Sequence, residues 1–201
     1  MDFLAFPKIA RFSRDITITE KIDGTNGVIG IEDDSVTMHV GSHTRWLTPE
    51  SGDNFGFLLW AAVHRDELLT LGPGRHFGEW WGSGIQRGYG LQKGEKRFSL
   101  FNVQRWVLHG QTPQRLKVND PRVEKYQEVL PPCVGLVPIL YRGEFSPFAI
   151  PDTLHALAVA GSKAVPGFMQ PEGIVIFHTA GNVVFKQTLM KDGEPKSREV
   201  R

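Results

Sequence analysis

Apolar and polar positions alternate along several stretches of the chain and predict β-strands. Residues 15–19 follow the two-residue period of a half-buried strand. If this strand continues, its isoleucines face the core and Lys21 lies on the opposite face. Asp-Gly and Asn-Gly pairs follow immediately, and both favour a turn. We therefore predict a hairpin that reverses just after Lys21 and returns through residues 28–31.

Similar patterns predict further strands at residues 35–42, 75–82, 98–103 and 134–141. The last two strands, residues 172–178 and 183–188, are predicted to form a hairpin around residues 180–182. In this hairpin Glu172 and Lys186 share a face only if the loop has an odd length or contains a bulge. We therefore expect an odd loop or a bulge there.

Three segments have helical signals. Asp53 is in position to cap a helix over residues 54–68, whose apolar stripe consists of Phe55, Leu58, Leu59, Ala62 and Val63. Shorter helices are predicted over residues 120–129 and, for about two turns, from Pro151 to Gly161. Because strands outnumber helices, we expect an α+β domain of antiparallel β-sheets flanked by a few helices.

The composition is that of a globular protein and narrows the function only slightly. The 201 residues are 40% hydrophobic and 22% charged, which is enough for one domain with a real core. The net charge is only +1, so a nucleic-acid site would have to come from local clustering, as at Lys93, Lys96, Arg97 and Arg105. The chain lacks the start of a signal peptide and any long apolar run, so a cytoplasmic location is expected.

Spacing alone indicates no metal or phosphate motif. The single cysteine, Cys133, excludes a disulfide within the chain and a multi-cysteine zinc site. The seven histidines show no metal-ligand spacing, so they are interpreted as structural or surface residues. The glycine-rich residues 82–90 match neither the Walker nor the dinucleotide-binding spacing and are predicted to form a loop.

Four short motifs nevertheless occur in an informative order. The first is Lys-Ile-Asp-Gly at residues 21–24, and the others lie at residues 77–79, 172–175 and 183–186. Together they resemble the covalent nucleotidyltransferase superfamily of polynucleotide ligases and messenger-RNA capping enzymes. Asn26 lies five residues after the lysine, where most DNA ligases and capping enzymes have arginine. The chain is therefore most similar to the phage-type, nick-sealing RNA ligases.

The resemblance implies an ATP-dependent RNA ligase with a nucleotidyltransferase, ATP-grasp-like fold. Lys21 would attack the α-phosphate of ATP to give lysyl-AMP, and the AMP would then pass to a 5′-phosphate before a 3′-hydroxyl displaces it. Lys186 would be the second catalytic residue and would bind the triphosphate together with Arg45, and Glu172 would hold Mg²⁺ or Mn²⁺. An amine attacks only when neutral, so nearby cations are expected to assist.

The other matched positions are expected to hold the nucleoside. By the resemblance, Glu20 helps to read the adenine edge and Asn26 contacts the nucleotide. Glu79 is expected to hydrogen-bond the ribose hydroxyl, and Phe101 is expected to stack on adenine.

The resemblance also predicts the extent of the domain. Residues 1–190 would form the adenylyltransferase (ligase catalytic) domain and residues 191–201 a charged tail, without a separate C-terminal nucleic-acid-binding domain. RNA with nicked or broken ends is the expected substrate, and DNA is possible. A protein partner could supply the missing nucleic-acid-binding domain.

The last motif departs from the family pattern. Ligases usually have two lysines there, separated by one residue, whereas Val184 and Thr188 occupy the two positions where a partner of Lys186 could lie. Phosphate binding is then weaker or involves Lys163 or Lys191. Two alternatives stay open: an ATP-dependent DNA ligase or GTP-using capping-type enzyme, and a catalytically weak nucleotide- or RNA-end-binding module.

Overall fold

The computed structural model describes residues 2–103 and 130–190. The predicted helix over residues 120–129, Arg105, Lys191 and the charged tail lie outside the described residues. The chain divides into two compact units, one formed by residues 1–21 and 138–201 and the other by residues 22–137. In the described part of the chain, no helix combines the length and apolar character needed to cross a membrane.

Strands dominate both units, as the α+β prediction requires. The strands are β1 (Asp15–Lys21), β2 (Thr25–Ile31), β3 (Met38–Gly41), β4 (Gly74–Gly82), β5 (Lys96–Leu100), β6 (Val134–Leu136), β7 (Ile139–Glu144), β8 (Gly173–His178) and β9 (Val183–Thr188). The helices are α1 (Phe57–Val63), α2 (Arg65–Leu69) and α3 (Ala149–Ala160). A short 3-10 turn covers Gly88–Gly90.

The first unit contains a four-stranded sheet in the order β7-β1-β8-β9, with every neighbouring pair antiparallel. The even-numbered residues of β1, Ile16 and Ile18, are buried together with Ile174 and Ile176 of β8. Ala149 and Leu157 of α3 belong to the same cluster. The helix therefore covers the face of the sheet opposite Lys21.

The second unit contains a five-stranded sheet in the order β3-β2-β4-β5-β6, of which only the β5–β6 pair is parallel. Its core face carries Ile29, Trp80 and Phe98, which pack with Phe57 and other helical residues. Burying aromatic side chains of this size contributes much of the stability of such a core.

The hairpin predicted after Lys21 is wrong. Strand β1 pairs with β7 and β8, whereas β2 pairs with β3 and β4 in the other sheet. The backbone N–H groups of Asp23 and Gly24 donate to the Tyr89 hydroxyl and the Glu79 carboxylate instead of closing a turn. Local turn chemistry favoured a reversal, but these long-range partners hold the segment in another path.

The predicted helix over residues 54–68 divides at His64 into α1 and α2. Gly56, at φ 85°, precedes α1, so the helix begins later than predicted and a different face is buried. Phe57 and Ala61 are buried, whereas Leu59 and Val63 of the predicted stripe are 67% and 73% exposed. The cap predicted at Asp53 is wrong, because Gly56 is the N-cap of α1. The Asp53 carboxylate instead accepts the backbone N–H of Leu58, within the first turn, at 2.7 Å.

The strand predicted over residues 134–141 is two strands in two sheets, β6 and β7. Pro138 lies between them and has no N–H to donate to a ladder. Helix α3 begins earlier than predicted, at Ala149, and ends before Gly161 as predicted.

Candidate active site

Lys21 is the last residue of β1, and its amine lies against a carboxylate. The Nζ atom is 2.5 Å from Oε2 of Glu172, although 151 positions separate the two residues. The side chain of Lys21 is 22% exposed and that of Glu172 is 8% exposed. Lys21 pairs with Gly173 across the sheet, so the residue just before β8 comes within reach of the amine.

Lys186 lies on the same sheet face as Lys21. Thr19 pairs with Val175, and Val175 pairs with Lys186, so these residues form one row across the sheet. Directly paired residues project to the same face, and residues two apart share it. Lys21 belongs to the adjacent row, and Lys186 is exposed.

The expected odd-length loop or bulge is wrong. His178 pairs directly with Val183, and no register shift interrupts the pairs between β8 and β9. The loop over residues 179–182 therefore has an even length. Glu172 nevertheless reaches Lys21, because it precedes β8 and the alternation of the strand does not govern its side chain.

Glu20 projects to the opposite face of β1 and is only 1% exposed. Its carboxylate accepts hydrogen bonds from the Ser162 hydroxyl at 2.6 Å and from the backbone N–H groups of Lys163 and Ala164 at 2.8 and 3.0 Å. Lys163 donates its own ammonium to the Ile139 carbonyl at 2.9 Å. In this structure Glu20 therefore orders the loop after α3.

In the second unit, Glu79 supports the segment that follows Lys21. Asn26 and Glu79 pair across β2 and β4. One carboxylate oxygen of Glu79 accepts the Gly24 N–H at 3.0 Å, and the other accepts the Asn26 side-chain amide at 3.4 Å. Glu79 is 9% exposed, so this buried carboxylate stabilises the first motif through hydrogen bonds.

Two further residues, which sequence reasoning assigned only to a glycine-rich loop, also hold this motif. Arg87 donates to the Asp23 carboxylate at 2.9 Å. The hydroxyl of Tyr89 accepts the Asp23 N–H at 2.9 Å, and Tyr89 is fully buried. The spacing of the loop gave no signal for these contacts, because they depend on how it folds against a distant segment.

Phe101 follows the end of β5 and is 40% exposed, whereas Phe98 is buried. The backbone N–H of Phe101 donates to the Phe77 carbonyl, and Phe77 is 54% exposed. Pairing places Phe77, Glu79 and Asn26 on one face of the sheet. Phe77 is an accessible aromatic on this face, and the alternation of β4 could have identified it.

Arg45 lies in a cleft of about 460 Å³ in the second unit. The lining includes Thr25, which directly follows the first motif, and polar residues of two loops: Ser42, His43, Asp53 and Asn54. Arg45 is exposed and donates to the Ser51 carbonyl at 2.8 Å. Its guanidinium keeps further donors for an anionic ligand, since it carries five in all.

Glu172 is suited to a divalent cation. A carboxylate oxygen is the donor that Mg²⁺ and Mn²⁺ prefer, and Mg²⁺ often uses only one or two protein carboxylates together with substrate phosphates and water. Glu172 is the acidic residue at the Lys21 amine. The donor set therefore fits such an ion.

The fold of the chain matches that of solved RNA ligase structures. The sequence model of the RNA ligase family matches residues 14–191. The chain therefore belongs to the RNA ligase family. No curated protein sequence matches it significantly.

Similar solved structures include variants of an RNA ligase from Naegleria gruberi. One variant, with ATP and manganese, has a TM-score of 0.57 and 21% identity and covers 88% of this chain and 50% of that chain. Another, with AMP and manganese, has a TM-score of 0.56 and 22% identity over the same shares of the two chains. The chain thus spans about half the length of these solved relatives.

Proposed function

We propose that this protein is an ATP-dependent RNA ligase that forms a covalent lysyl-AMP intermediate on Lys21. The observation that carries the proposal is the placement of Lys21 at a strand end, 2.5 Å from the Glu172 carboxylate and on the same sheet face as Lys186. Membership of the RNA ligase family supports it. The similar Naegleria gruberi ligase structure was solved with ATP and manganese.

The proposed reaction has three transfers. The neutral amine of Lys21 forms a bond to the α-phosphorus of ATP and loses one proton to solvent, and the bond to the β-phosphate oxygen breaks to release pyrophosphate. A 5′-phosphate of RNA then takes the AMP from the lysine. A 3′-hydroxyl attacks the activated 5′-phosphate, loses its proton, seals the strand and releases AMP.

Four residues of the two units have defined roles in this proposal. Glu172 holds the amine in place before ATP binds and would hold the Mg²⁺ or Mn²⁺ ion. That ion supplies positive charge against the phosphate oxygens. Lys186 and Arg45 bind the triphosphate.

The residues expected to hold the nucleoside also keep positioning roles. Asn26 contacts the nucleotide, Glu79 hydrogen-bonds the ribose while bracing the first motif, and Phe101 stacks on adenine. Glu20 was expected to read adenine, but its two carboxylate oxygens already accept three hydrogen bonds. We propose that its contribution is to order the loop at residues 162–164.

The test is transfer of AMP to the protein. Wild-type protein with Mg²⁺ and α-labelled ATP should retain label, whereas γ-labelled ATP should leave none. Lys21→Arg is a matched control, because it keeps a cation beside Glu172 but cannot supply a neutral amine. Label on Lys21→Arg or Lys21→Ala would overturn the assignment, and peptide mapping should place the wild-type label on Lys21.

Substrate comparisons test the other parts of the proposal. ATP against GTP distinguishes a ligase from a capping-type enzyme, and nicked duplexes sealed in RNA or DNA strands identify the nucleic acid. ATP binding without labelling or pyrophosphate release would favour the nucleotide-binding module, for which the absence of a second lysine beside Lys186 is the motivation.

A requirement for a protein partner would appear as sealing that is restored only by cell extract. The cytoplasm stays the expected location.

A further inference from the structure

Three side chains of the second unit lie close together, although their spacing in the sequence indicated no metal site. The donor atoms of His64, Glu67 and Cys133 are all within 4.8 Å of one another. The His64 Nδ1 atom is 2.9 Å from the Glu67 Oε1 atom. His64 lies at the junction of α1 and α2, Glu67 lies in α2, and Cys133 directly precedes β6.

The backbone of this cluster is well fixed. Leu68, next to Glu67, is fully buried in the core, and Val134, next to Cys133, is 8% exposed in the same cluster. A turn also orders the cysteine, because the Val134 N–H donates to the Pro131 carbonyl at 2.9 Å. Glu67 and Cys133 therefore start from ordered backbone positions, which limits the entropy lost when they bind a common ligand.

The donor set matches zinc. Zinc binds thiolate sulfur at about 2.3 Å and histidine nitrogen or carboxylate oxygen at about 2.0–2.2 Å, usually as a tetrahedron. A tetrahedron with these bonds separates its donors by about 3.3–3.7 Å, so modest side-chain rotations would suffice. The side chains of His64 and Glu67 are 31% and 41% exposed, which leaves a route for an ion.

The geometry points to a zinc site formed by His64, Glu67 and Cys133, with water as the fourth ligand, that fastens the α1–α2 junction to the segment before β6. Three protein ligands with one open position form a recognised zinc arrangement. The sulfur and nitrogen donors disfavour Mg²⁺ and Mn²⁺. This site is therefore chemically distinct from the oxygen ligand Glu172, and it does not depend on the proposed ligase reaction.

The rival arrangement is a metal-free polar cluster. Burial, followed by the nearby Glu67 carboxylate, raises the pKa of the Cys133 thiol to about 12. Without a metal the sulfur therefore keeps its proton beside Glu67. Zinc would have to displace that proton, as it does at other cysteine sites.

Cobalt(II) distinguishes the two arrangements directly. The chelator-treated full chain should develop a sulfur-to-cobalt charge-transfer absorption on titration with Co²⁺, and zinc should remove it at one ion per chain. Cys133 is the sole cysteine, so a thiolate band can come only from it. Cys133→Ser should abolish the band and, like His64→Ala, should weaken zinc binding by more than the roughly 10–100-fold that loss of an outer-shell partner costs.

His39→Ala is the matched control. His39 and Glu32 form a similar exposed pair at 3.0 Å but lie in another part of the unit. Zinc affinity should be unchanged in this variant. If a Cys133 variant fails to fold, the wild-type cobalt spectrum and the zinc affinity of Glu67→Gln, which should be reduced, still test the proposed site.

A wild-type protein without the charge-transfer band, or zinc affinity equal in the wild type and Cys133→Ser, would overturn the site. An equal loss in His39→Ala would show nonspecific surface binding and would also overturn it. None of these measurements uses ATP or RNA, so failure of the zinc site and failure of the ligase proposal are distinguishable.

Discussion

The Lys21 amine and the Glu172 carboxylate form a 2.5 Å ion pair at the end of the central strand β1. The pair orients the amine. The proposed reaction requires the neutral amine, so the contact must loosen when the nucleotide and metal ion bind. In the proposed reaction Glu172 would therefore hold the lysine first and a metal ion afterwards.

Glu172→Gln is expected to reduce self-adenylation by about 100-fold, because it removes the charge that would bind the metal ion. The glutamine retains the size of the side chain, so the fold should persist. Initial rates of labelling over a range of Mg²⁺ concentrations measure the effect. Glu32→Gln, at an exposed acid, should behave as wild type, and an unchanged rate in Glu172→Gln would remove Glu172 from the proposed metal site.

Lys186→Ala is expected to raise the KM for ATP by about 10- to 150-fold, because a charge-assisted hydrogen bond to phosphate contributes about 1.5–3 kcal/mol. Lys163→Ala provides the comparison, since its ammonium is engaged by the Ile139 carbonyl. Steady-state pyrophosphate release gives the KM for ATP of both variants. A larger KM effect at Lys163 than at Lys186 would transfer the phosphate-binding role to Lys163.

Glu20→Gln is expected to destabilise the fold by about 1–3 kcal/mol, because a carboxamide can no longer satisfy three donors around a buried carboxylate. Ser162→Ala removes one of those donors and should cost less, about 1 kcal/mol. Urea unfolding measures both free energies. Equal stability of Glu20→Gln and wild type would contradict the role of Glu20 in ordering the loop.

Gly24→Ala is expected to destabilise the first motif by about 1–3 kcal/mol through overpacking. A Cβ atom there would lie 2.5 Å from the Trp80 carbonyl oxygen and 2.7 Å from the Trp81 Cβ. Gly135→Ala is the control, because its added carbon meets only ordinary contacts from 3.5 Å outward. Denaturant midpoints for the two variants should differ, and equal midpoints would show that the backbone near Gly24 can move aside.

The turn between β2 and β3 should weaken in acid. Hydrogen bonds from the Thr37 hydroxyl and from the backbone N–H groups of Thr37 and Val36 lower the pKa of the Asp34 carboxylate. Because the folded pKa is below the unfolded pKa, the stabilisation is complete above the unfolded value and is lost as pH falls through the folded value.

NMR titration of the Val36 and Thr37 amides measures this transition. The midpoint should lie below 3.8, the ordinary value for this carboxyl group, and Asp34→Asn should remove the transition. A midpoint at or above 3.8 would contradict the assigned hydrogen bonds.

Sequence alone determined the strand that ends at Lys21, the C-terminal hairpin, the strand around Glu79 and the order of the family motifs. These features are encoded locally, since two-residue alternation and turn residues act over a few positions. Tertiary structure decided which strands pair, so β1 and β2 entered different sheets. It also decided the partners of Glu20 and brought His64 to Cys133. Such contacts join distant positions, and the balance of burial and hydrogen bonding over the whole fold selects them, which no local pattern records.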